Sequence, residues 1–572
     1  MSEKTTATTL EELPGTLVQP PLEVDEDGEN WKDSFDVLVI GLGAAGVSAA
    51  IEAVDSGASV AFIDRFEGGG TTARSGSVMY AGGGTALQKR LGINDDPHNM
   101  YQYLKHEVQN AVSPATLKAF CEQSADNLQW AMDNGVRYSG KVFAKKISYP
   151  VHGNSLYYSG NELAYAEEAR PAPRGHLPDG IKRFTAFGPA FVGPLIRSAL
   201  KKGVKPVRQT RVTRLLTGKG GRVVGVEASQ VPPGTLASVR HRLLSRWAAL
   251  LQIYFAPAAK GLVKKLEAIE KKHGRTVRYR ARNGVILATG GFILNRQMTE
   301  KYLPKYKRAM RLGTPGDLGE GHALGVSVGG VADRMSTATA WRFINPPPEW
   351  PKAALVNRTG QRYINESLYG ATIGTRMMEE HNGEAILVMD KRLFESSIES
   401  LNLKNARAVT LLQAKTAIRI AKSADTLEAL AERCKINPAT LKDTILQYNR
   451  AARSEIPDPL GKPPGEMAQI LEPPFYAIDM SVGKGDITSV ITLGGLRVHE
   501  ATGEVINARG EPVGGLYAAG RAAIGVASNA YISGLSIADG VFSGRRCGAH
   551  AAKKPAEPEI PRTVASAVVE QG

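Results

Sequence analysis

The chain has 572 residues, of which 42% are hydrophobic and 22% charged, a balance typical of a globular protein with two domains. Three cysteines without pairing or metal-ligand spacing argue for a reducing compartment and against a disulfide scaffold or structural zinc site. The ten histidines form no HExxH-like cluster, which disfavours a metal enzyme, and the net charge of +15 is compatible with nucleic acid or an anionic membrane as partner.

The N-terminal residues 1–33 are rich in Thr, Pro and acidic side chains and have little periodicity, which predicts a disordered leader. They contain no basic segment followed by an apolar core, so no signal peptide is indicated. No apolar run in the chain approaches the ~18 residues of a membrane-spanning helix. These features predict a cytoplasmic protein.

A Gly-x-Gly-x-x-Gly turn follows the apolar, largely β-branched run 37–40, and residues 47–54 continue as a helix. Gly41 lets the strand turn sharply, Gly43 lets the backbone approach a pyrophosphate, and Gly46 lets the helix pack against the strand. The phosphates of a dinucleotide would lie on the unpaired N–H groups at the positive end of that helix.

A second strand, 58–63, ends at Asp64, about 20 residues beyond the turn, where dinucleotide sites carry the acid that binds ribose. A loop of mostly small residues, 68–77, follows directly, and this position favours contact with a planar ligand. The context therefore predicts a dinucleotide site rather than an ordinary glycine-rich loop.

The next elements alternate between helical and strand patterns. Residues 97–135 have helical periodicity, whereas 138–190 is irregular, rich in Tyr, Gly and Pro, and is predicted to cover part of the cofactor or an entrance. Paired strands are predicted at 211–216 and 222–227, with their continuation at 276–291.

A segment at 231–275 is inserted between these strands, and a small β-meander would not require such an insert. It carries an apolar stripe at helical spacing, formed by Leu236, Val239, Leu243, Trp247, Leu250, Leu251 and Tyr254. Arg240 and Arg246 flank the stripe, and Arg242 lies further round. The pattern predicts either an amphipathic element on an anionic membrane surface, or a helical hairpin packed on its own domain or at a dimer interface. Nucleic acid is less favoured, because no aromatic-interleaved basic platform is present.

The composition changes over 333–474, where proline-rich segments separate amphipathic helices, and we interpret this region as a second domain inserted into the first. The first domain then comprises 34–332 and 475–552. The Pro/Ala/Glu-rich tail, 553–572, is predicted to be unstructured.

Two later motifs indicate which dinucleotide the turn binds. The segment 287–291, Leu-Ala-Thr-Gly-Gly, resembles the strand end that closes over FAD in flavoproteins, and 515–520 resembles their final strand beside the flavin. In a nicotinamide-binding domain, we would not expect a strand from the end of the chain to return to the cofactor site. FAD is therefore the predicted cofactor, with its pyrophosphate on the turn at 41–46 and Asp64 on the adenosine ribose.

The order of the motifs resembles the fumarate reductase/3-ketosteroid dehydrogenase flavoprotein family. These motifs are GxGxxG, Thr-Ala-Arg-Ser-Gly-Ser, Ala-Thr-Gly-Gly, Gly-Asp-Leu-Gly-Glu-Gly-His and Ala-Ala-Gly, and the resemblance covers roughly 35–550 without 231–275. The segment 362–367, Arg-Tyr-Ile-Asn-Glu-Ser, resembles the capping-domain motif of that family. The resemblance implies an α/β (α+β) fold, in which a Rossmann-like FAD-binding domain carries an inserted substrate-capping domain and the active site lies between them.

The resemblance also implies that FAD is held without a covalent bond, because relatives that bond FAD carry a histidine in the loop matching 71–77, and this loop has none. The positions that it assigns to FAD binding are Gly41, Gly43, Ala44, Ala45, Gly46, Asp64, Arg65, Thr72, Ser75, Gly76, Ser77, Val212, Ala288, Thr289, Gly290, Asp317, Gly520, Arg521, Ser536 and Ile537.

The substrate follows from two tyrosines. Relatives that reduce fumarate have cationic side chains where this chain has Tyr369 and Tyr531, which disfavours a dicarboxylate substrate. The turn 531–534, Tyr-Ile-Ser-Gly, instead resembles that of 3-ketosteroid Δ4-dehydrogenases, and the Tyr-Pro-Gly-Pro-Gly turn of the Δ1-dehydrogenases is absent.

That resemblance implies a 3-ketosteroid substrate and dehydrogenation of its C4–C5 bond. Tyr531 would hydrogen-bond the C3 carbonyl, Ser533 would relay the C4 proton, and Tyr369 from the cap would assist either step. The flavin N5 would accept the hydride, and the backbone N–H groups of Ser536 and Ile537 would stabilise the reduced ring. An external electron acceptor would then reoxidise the flavin.

Two alternatives stay open. A flavin ene-reductase, or a Δ1-dehydrogenase acting on a different ketone, would use the same parts and place the double bond elsewhere. A non-catalytic flavin-binding or membrane-interaction protein is supported only by the basic segment 231–275. In an enzyme, the same segment would make a cytoplasmic protein peripheral to the membrane, where steroids partition.

Overall fold

A computed structural model of the protein describes residues 8–148, 153–180, 187–254, 256–345, 347–401, 408–484 and 488–553. The strands are β1 (Leu22–Glu23), β2 (Asp33–Ile40), β3 (Val60–Ile63), β4 (Met79–Tyr80), β5 (Lys141–Phe143), β6 (Asn154–Tyr157), β7 (Gly175–His176), β8 (Lys205–Val207), β9 (Thr210–Thr217), β10 (Val223–Gln230), β11 (Arg275–Leu287), β12 (Met310–Arg311), β13 (Ala332–Asp333), β14 (Ala338–Trp341), β15 (Ala354–Val356), β16 (Ile386–Met389), β17 (Lys422–Ala424), β18 (Phe475–Asp479), β19 (Ser489–Thr492), β20 (Gly495–Leu496), β21 (Glu504–Ile506) and β22 (Pro512–Ala518). The α-helices are α1 (Ala44–Asp55), α2 (Ala86–Arg90), α3 (Pro97–Val108), α4 (Pro114–Glu122), α5 (Ser124–Asp133), α6 (Pro189–Lys201), α7 (Leu236–Tyr254), α8 (Ala256–His273), α9 (Arg296–Tyr302), α10 (Glu320–Ser327), α11 (Gly370–Glu380), α12 (Lys391–Ser400), α13 (Ala408–Arg419), α14 (Leu427–Cys434), α15 (Pro438–Ala452) and α16 (Leu535–Ala551).

The largest sheet has the strand order β1-β9-β10-β11-β2-β3-β8, with β22 paired to β11 and β21 paired to β22. Its centre is parallel, because β2 pairs in that sense with both β3 and β11. Alternate side chains of β2 enter different cores: Val37 and Val39 pack on one face, and Leu38 and Ile40 on the other. Burial on both faces explains why this strand is a continuous apolar run, and it confirms the predicted α/β fold.

The long strand β11 connects this parallel centre to an antiparallel meander. Its first half, from Arg275 to Arg280, pairs with β10, and its end, from Val285 to Leu287, pairs with β22. The last strand of the chain therefore returns beside β11, as the motif at 515–520 predicts.

Helices α1 and α16 cover one face of the sheet and run side by side. Gly544 and Gly548 of α16 lie against the carbonyl oxygens of Ala45 and Ala49, and a Cβ at either glycine would come within 2.3 Å of that oxygen. This close, parallel packing brings the N-termini of both helices to the edge of the sheet where open α/β folds bind ligands.

The predicted disordered leader is wrong for residues 8–33. Leu13 is buried in the main core, and β1 pairs with β9 through Leu22 and Leu216. Val24 packs against Leu216 from the same side. These apolar side chains are too widely spaced to form a periodic pattern, so the sequence shows no element although each residue has a partner. The tail beyond residue 553 and residues 1–7 lie outside the described residues.

The inserted cap contains a four-stranded sheet of order β15-β16-β18-β17, covered by helices that include α14 and α15. The predicted end of this domain at 474 is too early, because β18 (Phe475–Asp479) pairs with both β16 and β17. The chain returns to the FAD-binding side only with β19, which pairs with β12 and β14. The composition changes before the last cap strand, which is why it misplaces the boundary.

The capping motif at 362–367 contributes two residues to a buried ionic cluster. Arg362 contacts Glu366 at 2.9 Å and Asp458 at 2.6 Å, and Lys462 contacts the second oxygen of Glu366 at 2.9 Å. Burial alone would raise the pKa of Glu366, but the charges of Lys462 and Arg362 lower it from 4.5 to about 2. The cluster therefore stabilises the fold above pH 4.5, and its contribution is lost as the pH falls through 2.

We expect Glu366→Gln to lower the free energy of unfolding by about 3 kcal/mol, because it leaves two buried cations without their shared carboxylate. Urea unfolding measures this change. Glu380→Gln is the matched control, since Glu380 pairs with Arg376 at the surface of α11, where a loss within about 0.5 kcal/mol is expected. Equal stability of the two variants would contradict a structural role for the motif.

The insert 231–275 is a helical hairpin of α7 and α8. One face of α7, with Ser238, His241, Ser245 and Ala248, is buried against the protein. The first part of the predicted apolar stripe, by contrast, is exposed to solvent. None of the helices in the described part of the chain is both long enough and apolar enough to cross a membrane.

Candidate active site

A cavity of about 800 Å³ runs from the glycine turn after β2 to the cap. This volume is in the range of cofactor and ligand sites. All three predicted catalytic residues line it, together with every predicted FAD-binding residue except Gly46 and Ser77. The structure therefore brings together residues that lie almost five hundred positions apart in the sequence.

The glycine turn adopts a conformation that other residues would not fit. Gly41 has φ +91°, and a Cβ there would lie 2.7 Å from the carbonyl oxygen of Ala288. A Cβ on Gly46 would lie 2.0 Å from the carbonyl oxygen of Gly41. Gly46 thus packs behind the turn rather than facing the cavity, which agrees with its predicted part in helix packing. Ala44 donates its N–H to Thr72 Oγ1 at 3.0 Å, so two predicted cofactor residues also fix each other.

Asp64 links the turn to the second strand. Its two carboxylate oxygens accept the backbone N–H groups of Leu42, at 3.0 Å, and Phe66, at 2.8 Å. Burial raises the pKa of this carboxyl group, and the backbone hydrogen bonds oppose that rise. The carboxylate lines the cavity and retains lone pairs for a ribose hydroxyl.

Two predicted FAD-binding side chains have partners within the protein. Arg65 forms an ion pair with Glu270 of α8 at 2.9 Å, so its guanidinium is turned towards the hairpin. Ser77 donates its hydroxyl to the carbonyl of Phe187 and does not line the cavity, which corrects its predicted place at the cofactor.

Asp317 and Arg521 hold the middle of the cavity wall. Asp317 accepts hydrogen bonds from Thr314 and Thr71 and pairs with Arg521 at 2.9 Å. Another nitrogen of Arg521, Nη1, and the hydroxyl of Thr289 are buried without a hydrogen-bond partner in the described chain. Buried polar atoms of this kind need partners, and both residues line the cavity, so the site fits a cofactor that carries its own polar groups.

The C-terminal turn leads directly into α16. Gly534 has φ +92°, and Ser536 and Ile537 in the first turn of the helix line the cavity. Ser533 is held through its backbone, since its N–H donates to the Ser159 carbonyl at 3.1 Å and its own carbonyl accepts the Ser159 hydroxyl at 3.1 Å. The Ser533 side chain is thereby fixed at the cavity wall, beside a helix N-terminus.

Sequence reasoning missed Tyr157. Its hydroxyl lies 3.4 Å from Ser533 Oγ, and its ring is fully buried. Tyr157 belongs to the irregular, tyrosine-rich segment that predicts only a cover for the cofactor or entrance. Its proximity to Ser533 joins positions 376 residues apart, which no local pattern reveals.

Tyr369 and Tyr531 reach the cavity from different directions. Tyr369 precedes α11 in the cap, and its N–H donates to Asn161 Oδ1 at 2.6 Å. The Asn161 amide in turn donates to the buried Glu107 at 2.8 Å. Tyr531 meets the Trp341 ring edge-on, with ring centres 4.9 Å apart. The FAD-binding domain therefore fixes Tyr369 through hydrogen bonds, and Trp341 holds Tyr531 by packing.

The cap wall of the cavity is largely apolar. Its lining residues within the described part of 333–484 are Trp341, Phe343, Asn345, Trp350, Tyr369, Ala414, Ala417 and Met480. No lysine or arginine is among them, whereas clamping a dicarboxylate needs cations. The wall suits a large apolar substrate with few polar groups.

The glycine turn, the buried polar atoms without partners and the C-terminal turn at the cavity agree with an FAD-dependent oxidoreductase, the class to which the protein belongs. The sequence matches the FAD binding domain family over residues 36–537, and the chain belongs to that family.

Three relatives refine this comparison. The chain is 36% identical over 509 residues to a 3-oxo-5-alpha-steroid 4-dehydrogenase of Comamonas testosteroni, covering 86% of this chain and 94% of that protein. The crystal structure of a 3-ketosteroid-delta4-(5alpha)-dehydrogenase from Rhodococcus jostii RHA1 with 4-androstene-3,17-dione is 31% identical, with a TM-score of 0.78, and the match covers 94% of this chain and all of that one. A 3-oxosteroid 1-dehydrogenase of Mycobacterium tuberculosis is 26% identical, over 87% of this chain and 94% of that protein.

Proposed function

We propose that the protein is an FAD-dependent 3-ketosteroid dehydrogenase that introduces the C4–C5 double bond. The observation that carries this proposal is that Tyr531 and Ser533 of the 531–534 turn line the same cavity as the first turn of α16 and the apolar side chains of the cap. The similarity to two Δ4-dehydrogenases supports the same bond, and the names of both relatives support 5α as the substrate configuration.

In the proposed mechanism, the Tyr531 hydroxyl donates a hydrogen bond to the C3 carbonyl and stabilises the negative charge that develops there. This polarisation acidifies the proton at C4, which Ser533 Oγ accepts. Serine is a poor base, so Ser533 passes its own hydroxyl proton to a neighbour as it takes the C4 proton, and that neighbour releases its own proton in turn. Tyr157, at 3.4 Å from Ser533 Oγ, is one such neighbour, and Tyr369 in the cap is another.

FAD, when bound, supplies the hydride acceptor for the hydrogen leaving C5. The chain contributes the N-terminus of α16, where the backbone N–H groups of Ser536 and Ile537 favour negative charge on the reduced ring. The described residues that line the cavity include no histidine or cysteine, which supports non-covalent binding of FAD. An external electron acceptor is required to restore the oxidised flavin.

The experiment is anaerobic mixing of the FAD-loaded protein with a saturated 5α-3-ketosteroid. We expect the flavin absorbance to bleach as the steroid is dehydrogenated, and to return when an artificial acceptor is added. Succinate is the comparison substrate, and it should leave the flavin oxidised because the cap wall lacks cations. Bleaching by succinate but not by the steroid would overturn the proposed function.

We further propose that α7 docks on an anionic membrane surface. Leu236, Val239, Leu243 and Trp247 are each between 45% and 74% exposed, and they form a single stripe on the helix. Arg240 is exposed beside this stripe and matches the charge of acidic lipid headgroups.

Vesicle co-sedimentation tests this surface. Leu243→Glu combined with Trp247→Glu should weaken binding to phosphatidylserine-containing vesicles at least about ten-fold, because it removes apolar area and adds negative charge. Leu446→Glu is the control, since Leu446 is 55% exposed on a cap helix. Unchanged binding of the double variant would exclude α7 as the docking surface.

A further inference from the structure

We propose that the hairpin of α7 and α8 closes the adenosine end of the FAD site and retains the cofactor. Ser245, Arg246 and Ala249 of α7 line the same cavity as Asp64 and Val212. Asp64 marks the adenosine end, because the acid at this position of a dinucleotide unit binds the ribose. None of the three α7 residues belongs to the sequence-predicted cofactor set.

The Glu270 carboxylate joins the hairpin to the FAD-binding domain, and we call its set of contacts the clasp. Glu270 of α8 receives hydrogen bonds from Arg65 at 2.9 Å and contacts His241 at 3.1 Å and Arg211 at 3.7 Å. Burial opposes ionisation, but the hydrogen bond to His241 and the charges of Arg65 and Arg211 lower the pKa of Glu270 from 4.5 to about 2. Glu270 therefore stays ionised at neutral pH, and the clasp joins α8 to the residue that follows Asp64.

A second set of contacts fixes α7 to the loop after β3. The ring of His241 stacks on Phe66 with centres 6.0 Å apart. The Gln209 amide donates both to the Ser238 carbonyl of α7 at 3.2 Å and to Glu67 at 2.8 Å. Contacts from both helices thus hold the hairpin over one end of the cavity, and the opposite, apolar face of α7 is left exposed.

Arg246 supplies the recognition chemistry. It lines the cavity, and within the described part of the chain it has no hydrogen bond or ion pair. A guanidinium offers several donors and a flat cationic face, which suit a purine base and its ribose. The ligand group that fits here is the adenosine half of FAD rather than the flavin half.

This inference rests on FAD as the cofactor and is independent of the steroid chemistry. The test compares Arg246→Ala and Glu270→Gln with two controls, Arg240→Ala and Glu267→Gln, which alter residues of the same helices that do not line the cavity. The release rate of FAD from the holoenzyme is followed by the rise in flavin fluorescence. Binding of ADP and of FMN to the stripped full-length chain then separates the two halves of the cofactor.

We expect Arg246→Ala and Glu270→Gln to release FAD about ten-fold faster and to bind ADP about ten-fold more weakly, with FMN binding unchanged. The controls should behave as the unaltered protein does. FAD release at the control rate would overturn the inference, and so would an equal loss of ADP and FMN affinity, which indicates general disruption of the fold. Both outcomes leave the proposed steroid reaction standing.

Discussion

Tyr531→Phe is expected to slow flavin reduction by a 3-ketosteroid about 10³-fold, because removing one donor to a developing oxyanion typically costs that much. FAD binding should be unchanged, since the phenyl ring preserves the edge-on contact with Trp341. The measurement is stopped-flow reduction of the flavin under anaerobic conditions, with the steroid in excess.

A conservative change elsewhere provides the comparison for this variant. Tyr302→Phe removes a hydroxyl that donates to the Glu12 carbonyl at the surface, and Tyr302 is not among the residues that line the cavity. We expect it to reduce flavin at the normal rate. If Tyr531→Phe also kept the normal rate, the carbonyl-polarising role would have to be assigned to a different residue.

Ser533→Ala should slow the same step about 10²- to 10³-fold, in the range of positioned acid–base groups. It removes the group that takes the C4 proton, while the backbone bonds that hold the turn to Ser159 remain. Exchange of the C4 hydrogen with deuterated solvent measures this proton transfer separately from hydride transfer. Persistent exchange in the variant would show that another residue is the base.

A double-mutant cycle tests whether Tyr157 and Ser533 act in the same proton transfer. Tyr157→Phe alone should cost about ten-fold, since Tyr369 is left to receive the proton, and should add little in a chain that already lacks the Ser533 hydroxyl. Fully additive losses would mean that the 3.4 Å proximity of the two hydroxyls is not used in proton transfer.

The parts of the site that sequence could predict are those with a local chemical reason. Gly41 and Gly46 of the turn cannot carry a Cβ, because it would collide with the carbonyl oxygens of Ala288 and Gly41 respectively. The sequence shows this requirement as the spacing of the glycines. The Tyr-Ile-Ser-Gly turn is equally local, since strand, turn and helix follow one another within a few residues.

The parts that sequence missed depend on partners far along the chain. Tyr157 meets Ser533 across 376 positions, and Glu270 meets Arg65 across 205. The stripe on α7 indicates an amphipathic helix, but only the folded chain shows which face lies over the cavity. The order of residues 8–33 has the same origin, because isolated apolar side chains such as Leu13 find their partners only in the assembled domain.

The position of the new double bond tests the central proposal most directly. A saturated 5α-3-ketosteroid carrying deuterium at C4 and C5 is converted by the FAD-loaded protein, and the product is analysed by mass spectrometry. We predict loss of the C5 deuterium and of one C4 deuterium, giving the 4-ene-3-ketone. A product that retains every label and carries its double bond between C1 and C2 would contradict the assignment.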